Sequence, residues 1–474
     1  MKNIIYILFG LLIFGCEKFL DEDSKDLVIP ATVKDYGELL FGEAYFTGVP
    51  TGAKNVHTYL DLMTDDVEDN INNGFLGSDN RRKGWGYFTW QQEPEIDYTG
   101  TLGADEAYYE YYHSIIICNI VIDAGRNMEG NASERDFLLA EAHAQRAFDY
   151  YMLVNLYGEP YDKGQQGLGV PFNDLTSAKN ISFSRASVGE IYERINSDID
   201  KAVRLFAGSG NTGTVFRWNL PALYVFASRV SLYTKDWDRA IDMASKAIRM
   251  KPSLYSLSLM DSKNEYFFGM QNGEILFSYG GFNNYYYAYM AKSIYSASSE
   301  LQKSYTSDDL RLQCFFRKRK GRLIPNKSYI PEQTRMYAGG IRTAEAYMNR
   351  AEAYAEKGRV KDAMEDVNTV LKHRLKVFKP LSAADREDCI GIVRRERRKE
   401  FCFEQGRWFD LRRWGRPRIE HKFKTERGKS GIIQRFVLEE EDPAYTLPLP
   451  KSVSETSSDI VNISRPLRNN LNEK

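Results

Sequence analysis

The sequence predicts a mostly α-helical protein, built from pairs of helices and carrying long irregular loop insertions. Three observations lead there. Two segments of about 34 residues each read as helix, short turn, helix, with small residues at recurring positions. Long stretches between them, 40–105, 158–183, 253–335 and 416–474, have no clean period and are rich in Gly, Asn, Tyr and turn residues. Beyond residue 16, no uncharged run approaches the 18 or so residues that a membrane-spanning helix needs.

At the N-terminus, Lys2 supplies a positive charge and Ile4 to Gly15 carry none. That run is short for a mature membrane helix and fits the apolar part of an export signal. It ends in Ile13-Phe14-Gly15-Cys16, which resembles a bacterial lipobox. Residues 1–15 are therefore expected to be a signal peptide. Cys16 is expected to carry a lipid that holds the chain by burying acyl groups. The acidic stretch EKFLDEDSKD then reads as part of a tether over 16–32, ahead of a single domain over 33–474.

The clearest repeats are 220–252, with Ala240, Ala247 and Pro252, and 341–374, with Tyr347, Ala351, Tyr354, Gly358 and Ala363. Their length is the tetratricopeptide period, and the small residues sit where two helices would cross closely. Looser pairs are expected near 133–206 and 383–414. A helical scaffold with large insertions near 60–105 and 253–335 suits binding better than a compact catalytic core.

The stretch VRRERRKEFCFEQGRWFDLRRWG (393–415) is strongly basic, yet the whole chain is not. Lys plus Arg total 64 against 65 acids, a net charge of −1, so a phosphate-backbone binder is not expected. On a helix, Arg397, Glu400, Glu404 and Arg407 are spaced three, four and three apart, a ladder in which the charges would satisfy one another. No nucleic acid is expected as a partner.

The same stretch resembles the C-terminal signature of the SusD/RagB family of bacterial outer-membrane lipoproteins. Glu396-Arg397-Arg398, Glu400, Phe403-Glu404 and the run Arg407-Trp408-Phe409-Asp410-Leu411-Arg412-Arg413-Trp414 carry the likeness. Phe401 and Cys402 stand where the family more often has Leu and Ala. The lipobox followed by FLD and the late segment TLPLPKSVSE (446–455) agree, while the family's usual closing QNPGY is absent. The resemblance implies a SusD-like fold and a binding protein rather than an enzyme. It also implies a place on the outer membrane, facing outward through the lipid anchor. Its partner would be a TonB-dependent transporter of the SusC type, to which it delivers oligosaccharides, or peptides as in the RagB branch. A tetratricopeptide scaffold that binds only proteins is a further alternative.

Two insertions offer ligand-binding candidates. WGYFTW (85–90) brings Trp85, Tyr87 and Trp90 together, next to Asn80 and Arg81 and downstream of Asp65 and Asp66. A sugar needs a flat ring against its C–H face and polar groups for its hydroxyls, and both are present. GGFNNYYYAYM (280–290) offers Asn284 with Tyr285, Tyr286 and Tyr287, which cannot all point inward on a strand or helix.

No metal or cofactor site is indicated. The five His (57, 113, 143, 373 and 421) are scattered, and DNINNG (69–74) puts Ile71 where a calcium loop needs a ligand. GSGNTG (208–213) follows a helical pattern rather than a strand, so it reads as a loop. Cys118, Cys314, Cys389 and Cys402 show no metal spacing and read mostly as buried thiols.

Overall fold

The computed structural model describes residues 30–46, 59–70, 79–103, 106–163, 165–177, 184–210, 213–269, 271–278, 294–327, 340–424, 432–456 and 460–468. Cys16, Asn284 and Tyr285 to Tyr287 lie outside them. Helices dominate, and the described strands form five two-stranded sheets. No helix among the described residues is long and apolar enough to cross a membrane.

Helix α1 (Val33–Leu39) starts at a reciprocal cap between Thr32 and Asp35. Strand β1 (Val67–Asp69) and helix α2 (Asp79–Phe88) follow, then α3 (Glu106–Ala124) and the long α4 (Ala132–Tyr157). Strands β2 (Leu168–Pro171) and β3 (Arg185–Ser187) pair before α5 (Val188–Ser209). Helix α5 begins at a Ser187–Glu190 capping box and ends at Gly210, whose φ of 67° suits a residue without a Cβ. The GSGNTG motif thus closes a helix. Ala140, Ala142, Ala144 and Ala147 of α4 are buried, and α4 packs against both α3 and α5.

Helices α6 (Leu220–Tyr233) and α7 (Trp237–Met250) form the next pair, capped by Asn219 and Asp236. Ala240, Ala244 and Ala247 lie buried along α7 and let α6 and the later helix Thr343–Glu356 approach it. Between them in sequence come β4 (Ile275–Ser278), β5 (Tyr295–Ala297), the short helices α8 (Ser299–Lys303) and α9 (Arg311–Cys314), the β6–β7 hairpin (Phe316–Arg319 and Arg322–Pro325) and β8 (Gly340–Arg342). Helices α10 (Thr343–Glu356) and α11 (Val360–Leu371) turn at Gly358, φ 72°, and α12 (Arg386–Phe401) packs on α10. Helix α13 (Arg407–Arg413), the β9–β10 hairpin (Ile419–Lys424 and Ile433–Leu438) and α14 (Lys451–Thr456) complete the described chain.

Long-range pairing ties the insertions together and to the helical body. β1 pairs with β5, joining the two insertions, and β4 pairs with β8, which leads into α10; both pairs are antiparallel. A main apolar core runs through all the helix pairs, and a second cluster forms around Leu257, Phe267, Phe268, Phe315 and Phe316. All four described cysteines are buried free thiols.

Candidate functional site

The basic stretch 393–415 is internal. The ladder geometry expected for it does not form, because α12 stops at Phe401 and the backbone turns left-handed at Phe403 (φ 57°) and Gln405 (φ 63°) before α13. Most of the charges are nevertheless consumed, largely by partners distant in sequence. Glu400 receives Arg342 at 2.7 Å and Arg374 at 2.8 Å, with Arg311 at 3.4 Å. Glu404 receives Lys327 at 2.5 Å and Arg342 at 3.0 Å. Glu396 meets Arg311 at 2.7 Å and Lys399, while Glu274 ties Arg342 and Arg374 together. Burial opposes ionisation of Glu400, but Arg374, Arg342 and Arg311 outweigh it and hold its carboxyl well below the usual range.

A second knot joins α12, α13 and α10. Arg397 reaches Asp410 at 2.9 Å and Asn349 at 2.7 Å, and Arg413 bridges Asp410 and Glu352. The indole N–H of Trp414 donates to Glu352 at 2.8 Å. Trp408 is buried and stacks on Tyr445, and Arg412 donates to the Gly158 carbonyl at 2.7 Å. The signature residues are a scaffold.

Asp65 and Asp66 belong to that scaffold too. Arg407 forks onto both Asp65 oxygens at 2.9 and 2.8 Å, and Arg398 holds Asp66 at 2.7 Å. Burial works against the Asp65 charge, yet Arg407 and Arg398 draw its pKa down to about 2. Burial, against the pull of Arg398, pushes Asp66 up. The sequence offered these carboxylates to a sugar; the structure gives both Asp65 oxygens and one Asp66 oxygen to arginines and buries Asp66.

Arg81 and Trp90 also turn inward. Arg81 pairs with Asp69 at 2.6 Å, donates to the Lys424 carbonyl at 2.7 Å and lies 3.9 Å over the Phe423 ring. Trp90 has no exposed surface, and its indole N–H donates to the Met63 carbonyl at 3.0 Å. Its ring stacks on His421, which is sandwiched against Phe88 on the other side. Tyr87 is buried flat against Tyr59, ring centres 4.0 Å apart. The shared cause is docking: the 59–103 segment buries these groups against β9 and β5, so they build the floor of the insertion. Asn80 lies at the start of α2.

Among the described sequence-named aromatics, Trp85 is the one left partly exposed. It meets the half-buried Tyr98 edge-on at 6.3 Å and Phe436 of β10 at 6.4 Å. Polar groups stand beside it: Arg82 pairs with Asp97 at 2.9 Å, and Asp97 accepts from the Thr99 hydroxyl at 2.6 Å, with Thr99 and Thr101 exposed. Tyr98, Asp97 and the two threonines were missed in the sequence, because they follow WGYFTW only through the turn at 91–97. Gly86 makes that turn possible; a Cβ there would sit 2.3 Å from the Pro94 carbonyl oxygen.

A different surface also shows a ring. A cleft of about 580 Å³ lies between α1, the start of α4 and residues 214–217. Phe216, 44% exposed, and Phe41 line it, with Lys34, Glu38 and Arg217. Arg217 is anchored from below by Glu141.

Comparison with known proteins agrees with the fold. The family model described as "Starch-binding associating with outer membrane" matches residues 18–232, and that of the SusD family matches residues 272–463. No curated protein matches the chain. A solved SusD superfamily protein from Bacteroides thetaiotaomicron is similar with a TM-score of 0.71 at 21% identity, covering 92% of this chain and 100% of its own. A SusD-like carbohydrate binding protein from Bacteroides vulgatus is similar with a TM-score of 0.69 at 16% identity, covering 92% and 99%. A SusD superfamily protein from Parabacteroides distasonis gives 0.66 at 16%, covering 91% and 97%. With the SusD family model over residues 272–463, the second, SusD-like model over 18–232 and the signature residues 396–414 inside the first match, the chain belongs to the SusD/RagB family.

Proposed function

We propose that this protein captures an oligosaccharide at the cell surface and hands it, unaltered, to a TonB-dependent transporter of the SusC type. The observation that carries this is the match of residues 18–232 to a family described as starch-binding and associated with the outer membrane. A lipid on Cys16 would hold the chain there, facing outward. The ligand would rest on the face of Trp85 and Tyr98, with the Arg82–Asp97 pair, Thr99 and Thr101 as hydrogen-bonding groups. Asn80, Asn284 and Tyr285 to Tyr287 would be further ligand contacts. Stacking plus a few exposed hydrogen bonds gives weak affinity, because each contact competes with water.

Electrophoresis of the full chain through gels containing different polysaccharides tests this. Retardation by one polysaccharide, abolished by Trp85→Ala and kept by Phe216→Ala, is the expected result. Retardation lost in Phe216→Ala alone would move the ligand to the cleft beside α1. No retardation by any polysaccharide, with retention of mixed peptides, would replace the glycan by a peptide.

A further inference from the structure

Far from the Trp85 platform, a cleft of about 190 Å³ opens where the ends of α4, α6 and α10 meet α12 and α13. Tyr161, Tyr233, Trp237 and Trp414 supply its aromatic walls. Its carboxylates are all committed. Asp162 accepts from Arg416 at 2.8 and 3.0 Å. Glu352 is held by Arg413 and Trp414, and Glu356 by Arg386 and Arg394.

Arg412 lines the same cleft and has no such match. It is 3% exposed and pairs with no carboxylate among the described residues. Its hydrogen bonds, to the Gly158 carbonyl at 2.7 Å and the Thr446 hydroxyl at 3.3 Å, both come from Nη2. Its Nε is buried without an acceptor. Burial pulls its pKa down to about 10, against the ordinary behaviour of a guanidinium. A buried cation without a counter-ion is costly, and an anion in the cleft would relieve that cost. Lys235, exposed at the same cleft, adds a second positive charge.

We propose that this cleft is a binding site for a carboxylate carried on a peptide segment of another protein, with Arg412 as its counter-ion and the aromatic rings packing the flanking atoms. None of the residues offered above for glycan capture lines this cleft, so the site is separate from that one. An Asp or Glu side chain and a chain terminus present the same chemistry to Arg412.

Three capped tripeptides, titrated against the full chain in detergent, decide the matter: acetyl-Ala-Glu-Ala-amide, acetyl-Ala-Ala-Ala with a free terminal carboxylate, and acetyl-Ala-Gln-Ala-amide. Indole fluorescence reads binding at Trp237 and Trp414. One of the acids is expected to bind saturably, roughly tenfold more tightly than the glutamine peptide, since a charge-assisted pair is lost in the latter. Which acid binds identifies side chain or terminus. Arg412→Gln should remove that preference while Lys235→Ser only weakens it. If Arg412→Gln fails to fold, Trp237→Ala decides, and is expected to lose the fluorescence change and the binding seen by calorimetry. Equal response to all three peptides, or no response to either acid, overturns the proposal. So does an unchanged preference in folded Arg412→Gln or in Trp237→Ala.

Discussion

Arg407 grips Asp65 with two parallel hydrogen bonds, 2.9 and 2.8 Å long, between residues 342 positions apart. That pair joins the first ligand-like insertion to the C-terminal signature. It shows how most of the basic stretch in a nearly neutral chain is satisfied internally, and why Asp65 upstream of WGYFTW is not free for a ligand. The Ser298 hydroxyl, donating to the Asp65 carbonyl at 2.7 Å, adds the central insertion to the same junction.

Glu400 is the centre of the buried charge cluster, so its removal takes one carboxylate from Arg342 and Arg374 together and leaves Glu274 to offset both, with Glu404 on Arg342 alone. Glu400→Ala should cost about 3–5 kcal/mol, the loss typical of breaking a buried ion pair from one side. Asp242→Ala, which removes the exposed pair with Lys246, should be nearly silent. Urea unfolding of the two variants checks the contrast.

Gly86 tests how tightly the platform is built. Gly86→Ala puts a methyl against the carbonyl oxygens of Pro94 and Ile96, 2.3 and 2.9 Å away. Backbone must shift, at an expected cost of about 1–3 kcal/mol. Hydrogen exchange should show the opening concentrated in residues 85–103.

Trp85 and Trp90 should separate binding from folding. Trp90→Ala empties a fully buried site and strands the Met63 carbonyl, for a loss of about 3–5 kcal/mol. Trp85→Ala should cost far less stability and should abolish glycan binding. Melting curves and binding measured on the same two proteins check this.

His421 gives a pH signature. Its two nitrogens face the Phe88 and Thr64 carbonyls at 2.7 and 3.0 Å, an arrangement that favours the cation. Burial between two aromatic rings opposes the charge more strongly and brings the pKa to about 4. Below pH ~6.5 the unfolded chain gains a proton that the folded chain refuses. The stabilisation is thus complete above that value and is lost as pH falls toward 4, by on the order of 3 kcal/mol in all. NMR of the imidazole should show titration near 4. The difference between the wild-type and His421→Phe stability curves should be confined to that window.

Periodicity carried the helical pairs, because Ala spacing at 240 and 247 or at 351 and 363 reports close helix crossing whatever lies elsewhere. Spacing failed for the basic run, whose expected ladder is broken after Phe401; the overall balance of 64 basic and 65 acidic residues was the better guide to internal pairing of most of it. The partners were not legible: Glu400 meets Arg311, Arg342 and Arg374, and only the folded chain brings 311, 342, 374 and 400 to one point. The same limit misplaced Asp65, Asp66, Arg81 and Trp90. Their residue types suit a sugar, but composition cannot tell a ring that faces a ligand from one sealed under His421. Trp85 lies within α2, whereas Trp90 lies two residues past its end in left-handed backbone, φ 52°.

The most direct measurement of the central claim is isothermal titration of the full chain, in detergent, with polysaccharides, their oligomers and mixed peptides. Saturable heat with one glycan and its oligomers, absent with the peptides and absent in Trp85→Ala, is the predicted result. Heat with the peptides alone, unchanged by Trp85→Ala, would contradict it.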